Sequence, residues 1–245
     1  MATDLSSMHI RTLLSEEGKS YAAWQLPDLV FMQYPDAPWE SWRYRYVKRI
    51  VDVLGASAML VLGAIPTLTI AAAISLTSEG PIFYREERIG RGGRTFRIWK
   101  FRTMRPKDSP SGVTASLEDS DDHWRFSKGR TGRVDPRITL IGSFLRKWSL
   151  DELPQVLNIL RGDMSLVGPR PVIQAETGFY GDLLPFYLAA TPGLSGLWQV
   201  SGRSNLDFEK RAKLDAFYVQ TWSLRTDLYL LGRTASAVLS RSGAC

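Results

Sequence analysis

Val53 to Leu76 reads VLGASAMLVLGAIPTLTIAAAISL, 24 residues without a charge. A membrane helix needs roughly 18 to 20 such residues, so the segment predicts a membrane element rather than a core helix. It follows an aromatic and basic run, WESWRYRYVKR, and begins too far from the N-terminus for a secretory signal peptide with a short basic leader. It is expected to be retained.

Both flanks are basic. Arg43, Arg45, Lys48 and Arg49 precede the segment, and Arg85, Arg88, Arg91, Arg94, Arg97, Lys100 and Arg102 follow it. Positive residues stay on the cytoplasmic side of a membrane, so a straight span would have to export one of these clusters. Pro66 lies near the middle, removes a backbone donor and clashes with the preceding turn, which makes a break there natural. The halves, 13 and 10 residues, would each reach only about 15 to 20 Å, short of a hydrocarbon core of about 30 Å. A helix that enters, turns with Pro66 at its apex and returns to the same face satisfies charge and length together. A single tilted span kinked at the proline is the alternative.

The rest of the chain divides around this element. Residues 1–45 are mixed and proline-bearing, an extension with no sustained periodicity; 46–77 carry the re-entrant helix; 78–245 form a cytosolic domain at the membrane surface. Trp39, Trp42, Tyr44 and Tyr46 suit the boundary between head groups and water. PIFYREERIGRGGRTFRIWKFRTM holds two aromatic-rich extended runs around GRGG and predicts a β-hairpin. Gly90, Gly92 and Gly93 are turn residues in this reading, because TFRIWKF has strand composition where a phosphate-cradling loop requires a helix. Lys107 to Arg133 is rich in Ser, Gly, Asp and Arg and reads as a loop that orders over substrate. Leu224, Leu228, Leu231, Ala235 and Val238 step by four and three, the stripe of an amphipathic helix for core packing or for docking on a membrane surface. The expected class is α+β, mainly helical, with a small β-hairpin and amphipathic helices beside the membrane hairpin.

A net charge of +6 and a pI near 9.5 favour anionic partners without choosing among nucleic acid, lipid head groups and phosphorylated small molecules. The single cysteine, Cys245, excludes an internal disulfide. His9 and His123 are far apart, which argues against a Cys/His zinc site and against Ser-His-Asp or Cys-His chemistry.

Asp151 and Glu152 stand in KWSLDELPQ, between an apolar residue and a proline. Ser149-x-x-Glu152 fits a capping box, in which serine and glutamate satisfy the first free amides of a helix. That register puts Pro154 at the fifth helical position, where its missing N–H loses a bond; if Asp151 itself caps, Pro154 falls at the third position and Glu152 is left free. Either way the carboxylates stand at a helix N-terminus, where the dipole favours anions. Neighbouring helical positions point about 100° apart, so the pair cannot flank a glycosidic bond, but it can divide nucleophile and metal-ligand roles at one phosphoryl centre. Lys100, Arg102, Arg146, Arg170 and Arg203 supply more positive charge than two carboxylates neutralise. That surplus implies a phosphate-bearing substrate.

KRIVD, GPIFYREERIG, FRIWKFRTM, SLDELPQVLNILRGDMSLVGPRP and PGLSGLWQVSGRS, taken in this order, closely resemble the monotopic phosphoglycosyl transferases, bacterial sugar transferases that act on polyprenyl phosphate. The likeness runs from about Lys48 to Arg233. It implies transfer of a sugar 1-phosphate from a UDP-sugar to undecaprenyl phosphate with release of UMP, the opening step of exopolysaccharide, capsule or O-antigen synthesis. It implies Mg2+ as cofactor, Asp151 as the nucleophile of a covalent intermediate, Glu152 with Asp151 at the metal, and Lys100, Arg146 and Arg170 at the substrate, where the charge surplus adds Arg102. Gln199 and Arg203, in WQVSGRS, match positions near the nucleotide. The implied location is the cytoplasmic face of a bacterial inner membrane, with membrane lipids as partners, no nucleic acid, and a homodimer left open. WQVSGRS leans towards galactose or glucose phosphate by similarity. Larger relatives carry N-terminal spanning helices and a regulatory domain where this chain has about 45 residues. Many relatives also place serine before the helix-breaking proline, where this chain has Ile65. The competing reading is a catalytically silent membrane protein that recruits assembly partners; release of UMP distinguishes the two.

Overall fold

The computed structural model describes residues 37–105, 137–201 and 206–239. The loop of 107–133, most of the N-terminal extension, Arg203, both histidines and Cys245 lie outside the described residues. The described chain is mainly helical, as the sequence predicts, with one antiparallel hairpin.

Helices α1 (Lys48–Leu62), continuing a π-helical turn at Arg43–Val47, and α2 (Ala64–Thr77) meet at a 59° bend. No single helix among the described residues is long and apolar enough to cross a membrane; the bent pair is, taken together. The bend lies one turn before the position expected. The helices break at Gly63, and Pro66 is the third residue of α2. The proline is still its cause, since a proline ring clashes with the carbonyl four residues earlier and offers it no N–H. That carbonyl belongs to Leu62.

Both outer ends of the bent pair are fastened to the same folded unit. On α1, Lys48 is 3% exposed and pairs with Asp227 at 2.7 Å. Asp52 accepts from Ser165 Oγ and Leu166 N, each at 2.9 Å, and Arg49 donates to Leu160 O at 2.7 Å. On α2, Ile74 packs with Phe101 and Leu145, and the Ser78 carbonyl accepts from Arg102 at 2.7 Å. Between these anchors the pair leaves the domain, and its apolar side chains are bare: Val61, Leu62, Ile65 and Leu68 are at least 70% exposed.

Strands β1 (Phe83–Ile89) and β2 (Thr95–Phe101) pair antiparallel, Tyr84 opposite Lys100, around a short turn at Arg91–Gly93. Helix α3 (Leu140–Lys147) is capped by Thr139, whose hydroxyl accepts from Gly142 N at 2.8 Å. A 3-10 turn (Leu150–Gln155) then runs into α4 (Val156–Arg161). A second sheet, not anticipated, joins β3 (Ser165–Val167) to β4 (Gly193–Ser195) in parallel. Its signal is the two short glycine-bearing motifs themselves: a Cβ on Gly193 would lie 2.0 Å from Gly168 N, so backbone meets backbone there with no room for a side chain. Helices α5 (Leu184–Ala189), α6 (Leu197–Ser201), α7 (Phe208–Gln220) and α8 (Leu224–Leu239) close the unit. Ala56, Ile159, Phe217, Val219 and Leu230 meet in the main core.

Two expectations are corrected. Tyr44 is 4% exposed and accepts from Thr191 N at 3.2 Å, and Trp39 packs on the core, whereas Trp42 and Tyr46 are exposed. Helix α8 packs through Thr226, Asp227 and Leu230, leaving Leu228 of the apolar stripe 58% exposed. The buried Asp227, committed to Lys48, turns the adjacent face inward. Of the stripe, Leu231 still packs against the main core while Leu228 does not, so the core-packing expectation holds only in part.

Candidate active site

Helix α3 ends in a left-handed residue, Ser149 (φ 55°), and the chain restarts as the 3-10 turn carrying Asp151 and Glu152. A serine in this region is uncommon, and it reverses the chain so that the carboxylates face the hairpin. The capping box does not form: the Ser149 side chain makes no capping bond, and Glu152 Oε1 instead binds Lys100 Nζ at 2.9 Å. Asp151 lies within the 3-10 turn rather than at its cap.

Lys100 is held in place through β2. Buried Asn158 of α4 accepts from Trp99 N at 3.0 Å and donates to Arg97 O at 2.8 Å. One segment thus grips the strand twice, by Asn158 on its backbone and by Glu152 on its lysine. An asparagine inside the apolar run VLNILR signals a buried partner of this kind.

Lys100, Glu152, Arg170 and Gln199 line one small pocket, joined by Arg88 and Gln155. Gln199 donates to Leu194 O at 3.2 Å. Arg170 follows β3 in GPRP and stands over the Trp198 ring at 5.8 Å. Beside it lies buried Asp215, which accepts from Tyr180 at 2.9 Å and whose pKa burial pushes up to about 8. Arg146 is on α3, its Nε donating to Thr103 at 2.9 Å, close enough to act on Asp151. Arg102 stands apart from this pocket. It is buried, binds Ser78 at the end of α2, and so fastens the bent helix to the sheet.

The two carboxylates are driven apart electrostatically. Burial raises the Asp151 pKa and the neighbouring Glu152 charge raises it further, against Lys100 and Arg146. Burial also opposes ionisation of Glu152, but Lys100, Arg170 and Arg88 outweigh it and hold the group at about 2. Glu152 is thus a fixed anion in an ion pair, and Asp151 the more basic carboxylate. Neither Arg146 nor Arg170 forms an ion pair among the described residues, though Arg170 acts on Glu152 and Arg146 on Asp151 through their charges. Arg88, by contrast, pairs with Glu86 and lies 3.8 Å from Glu176.

The family model described as bacterial sugar transferase matches residues 43–241. The chain belongs to the bacterial sugar transferase family. It is 44% identical over 199 residues to the exopolysaccharide production protein ExoY of Rhizobium meliloti, covering 80% of this chain and 87% of that one. Identity is 41% over 200 residues to the undecaprenyl-phosphate galactose phosphotransferase of Salmonella typhimurium, 82% of this chain and 42% of the relative. It is 42% over 205 residues to the UDP-glucose:undecaprenyl-phosphate glucose-1-phosphate transferase of Caulobacter vibrioides, 80% and 71%. This sugar transferase therefore spans less than half of some relatives and most of others. Asp151, Glu152, Lys100, Arg146, Arg170 and Gln199 all lie inside the matched range.

Proposed function

We propose that this transferase moves a sugar 1-phosphate from a UDP-sugar to undecaprenyl phosphate, releasing UMP, through a covalent intermediate on Asp151. The observation that carries the reading is the division of labour in the carboxylate pair: Glu152 is neutralised by Lys100, while the more basic Asp151 stands within reach of the Arg146 charge. An Asp151 oxygen attacks the sugar-bearing phosphorus, and the bond from that phosphorus to the oxygen of UMP breaks. An oxygen of the lipid phosphate then attacks the same phosphorus and expels the carboxylate, leaving a lipid diphosphate sugar. Arg146 and Arg170 hold phosphate oxygens during both displacements. Release of UMP from a panel of UDP-sugars, with and without polyprenyl phosphate, tests the reading; a chain that releases none from any of them is not this enzyme.

Magnesium suits the donor set. The ion keeps several waters and takes one or two carboxylates plus substrate phosphates, so two adjacent hard oxygen donors meet its habit without a third protein ligand. Asp151 and Glu152 would hold it, and it would offset charge on the diphosphate and on departing UMP. Glu152→Gln loses both the metal-side charge and the ion pair with Lys100. We expect roughly a hundredfold loss of turnover, only partly recovered by more magnesium. Unchanged activity across a magnesium titration would remove Glu152 from the metal.

The bent helix is proposed to enter the inner membrane from the cytoplasmic face and return. Its arms, 15 and 14 residues, are roughly 22 Å long by helical rise, so with both outer ends at one face a 59° bend sinks the apex roughly 11 Å, within one leaflet. Length alone would also allow a crossing. The attachments favour return, because Lys48 and Ser78 are both bound to one domain, which lies on one side only. The exposed apolar apex needs a lipid environment, and Leu228 on α8 faces outward as a surface contact would. With Cys245→Ser as background, Tyr46→Cys and Tyr84→Cys should both resist a membrane-impermeant thiol reagent in intact cells and react once the inner membrane is opened. Labelling at 46 in intact cells would show a true span.

A further inference from the structure

Gln155 follows the carboxylate pair by one turn, and no role attaches to it from sequence. It is 2% exposed, yet its Nε2 has no hydrogen-bond partner. The residue lines the pocket of Lys100, Glu152 and Arg170. Arg88, also in that lining and 8% exposed, has an unpartnered Nε as well. Buried donors are ordinarily satisfied, because leaving one unpaired forfeits its hydration for nothing in return. Two orphaned N–H donors on one small pocket, beside cations, describe a cradle for an oxygen that only accepts. A phosphoryl oxygen is such an acceptor.

We propose that Gln155 is a substrate-binding residue whose Nε2, together with Arg88 Nε from the same pocket lining, donates to a phosphoryl oxygen of the bound nucleotide diphosphate. The proposal rests on the UDP-sugar reading above. It assigns the pocket to the donor substrate: Arg170 supplies charge, and Gln155 and Arg88 supply direction. Arg88 also ties Pro171 and the two glutamates together, so its replacement would disturb the fold. Gln155 is the position that tests the idea cleanly.

The test compares Gln155→Met, which keeps the volume and removes the donor, with Gln155→Glu, which sets an acceptor where the donor was. Both are made in the full chain, solubilised in detergent with magnesium. Gln155→Met should melt at the wild-type temperature or above, since it removes a buried unpaired group. It should also weaken UDP binding by calorimetry, and raise KM for the UDP-sugar, about tenfold to a hundredfold, the range for a hydrogen bond to a charged partner. KM for polyprenyl phosphate in vesicles should be unchanged, and Gln155→Glu should bind UDP more weakly still. The proposal is overturned by unaltered UDP affinity in either variant, by a melting temperature several degrees lower in Gln155→Met, which would mean a structural partner, or by a KM rise confined to the lipid acceptor. If the wild-type chain neither binds UDP nor releases UMP, it is the UDP-sugar reading that fails instead.

Discussion

Asp151→Asn is expected to release UMP at least about a thousandfold more slowly than the parent chain, because an amide oxygen cannot serve as the attacking nucleophile. It should also trap no labelled sugar phosphate on the protein. The loss should come without unfolding. The pKa of Asp151 is raised in the fold by burial and by Glu152. A carboxyl with a folded pKa above its unfolded one is harder to ionise in the native state, so ionised Asp151 subtracts from stability at neutral pH. That effect disappears as pH falls below the unfolded value, where the group is protonated in both states. The neutral amide removes it, and Asp151→Asn should melt no lower than wild type at pH 7. Near-normal turnover in this variant would take the nucleophile's role away from Asp151, and a collapse in melting temperature would make the lost activity uninformative.

The second large effect is on stability. Lys48→Met should destabilise the chain by about 3 to 5 kcal/mol, a large part of the margin of an ordinary domain. Lys48 Nζ binds Asp227 Oδ2 at 2.7 Å and Val167 O at 2.8 Å, with both side chains of the pair about 4% exposed. Without the lysine, the Asp227 charge stays buried with only the Tyr218 hydroxyl at 2.6 Å and Trp222 Nε1 at 3.1 Å. Adding Asp227→Asn to Lys48→Met removes the stranded charge while its one amide oxygen still accepts from one of the two donors, and it should recover part of the loss. Denaturant unfolding in detergent measures both. A change under about 1 kcal/mol in the single variant, the range of exposed pairs, would mean that this ion pair does not fasten α1 to the domain.

Much of the fold was legible because its signals are local. The hairpin around GRGG follows from aromatic alternation and from glycines that accept positive φ, seen at Gly92 and Gly93. The bend follows from one proline, although its place was misjudged: the clash acts on the carbonyl one turn back, and the adjacent glycine yields. Charge surplus groups Lys100 and Arg170 with the carboxylate pair, but the place of Gln199 beside them was accessible only through the resemblance to a family. Arg102 counts among the surplus cations around the carboxylates by charge alone, but the structure puts it against Ser78, where it serves the helix that leads away from the site. Gln155 and Asp215 left no signal in the sequence, since an orphaned amide or a buried acid is defined by what surrounds it.

Hydropathy and backbone sterics operate within a few residues, so the sequence by itself determined a long uncharged helix that must break, a turn carrying two adjacent carboxylates, and a basic chain suited to phosphate. Charge pairing operates through space. Lys48 finds Asp227 across 179 positions and Lys100 finds Glu152 across 52. Those encounters set which face of α8 is buried, that the first arm of the bent helix is fastened to the domain, and which carboxylate is tied in an ion pair while its neighbour becomes the more basic. Only the tertiary structure decided them, because burial and the distance between charges do not exist until the chain has packed.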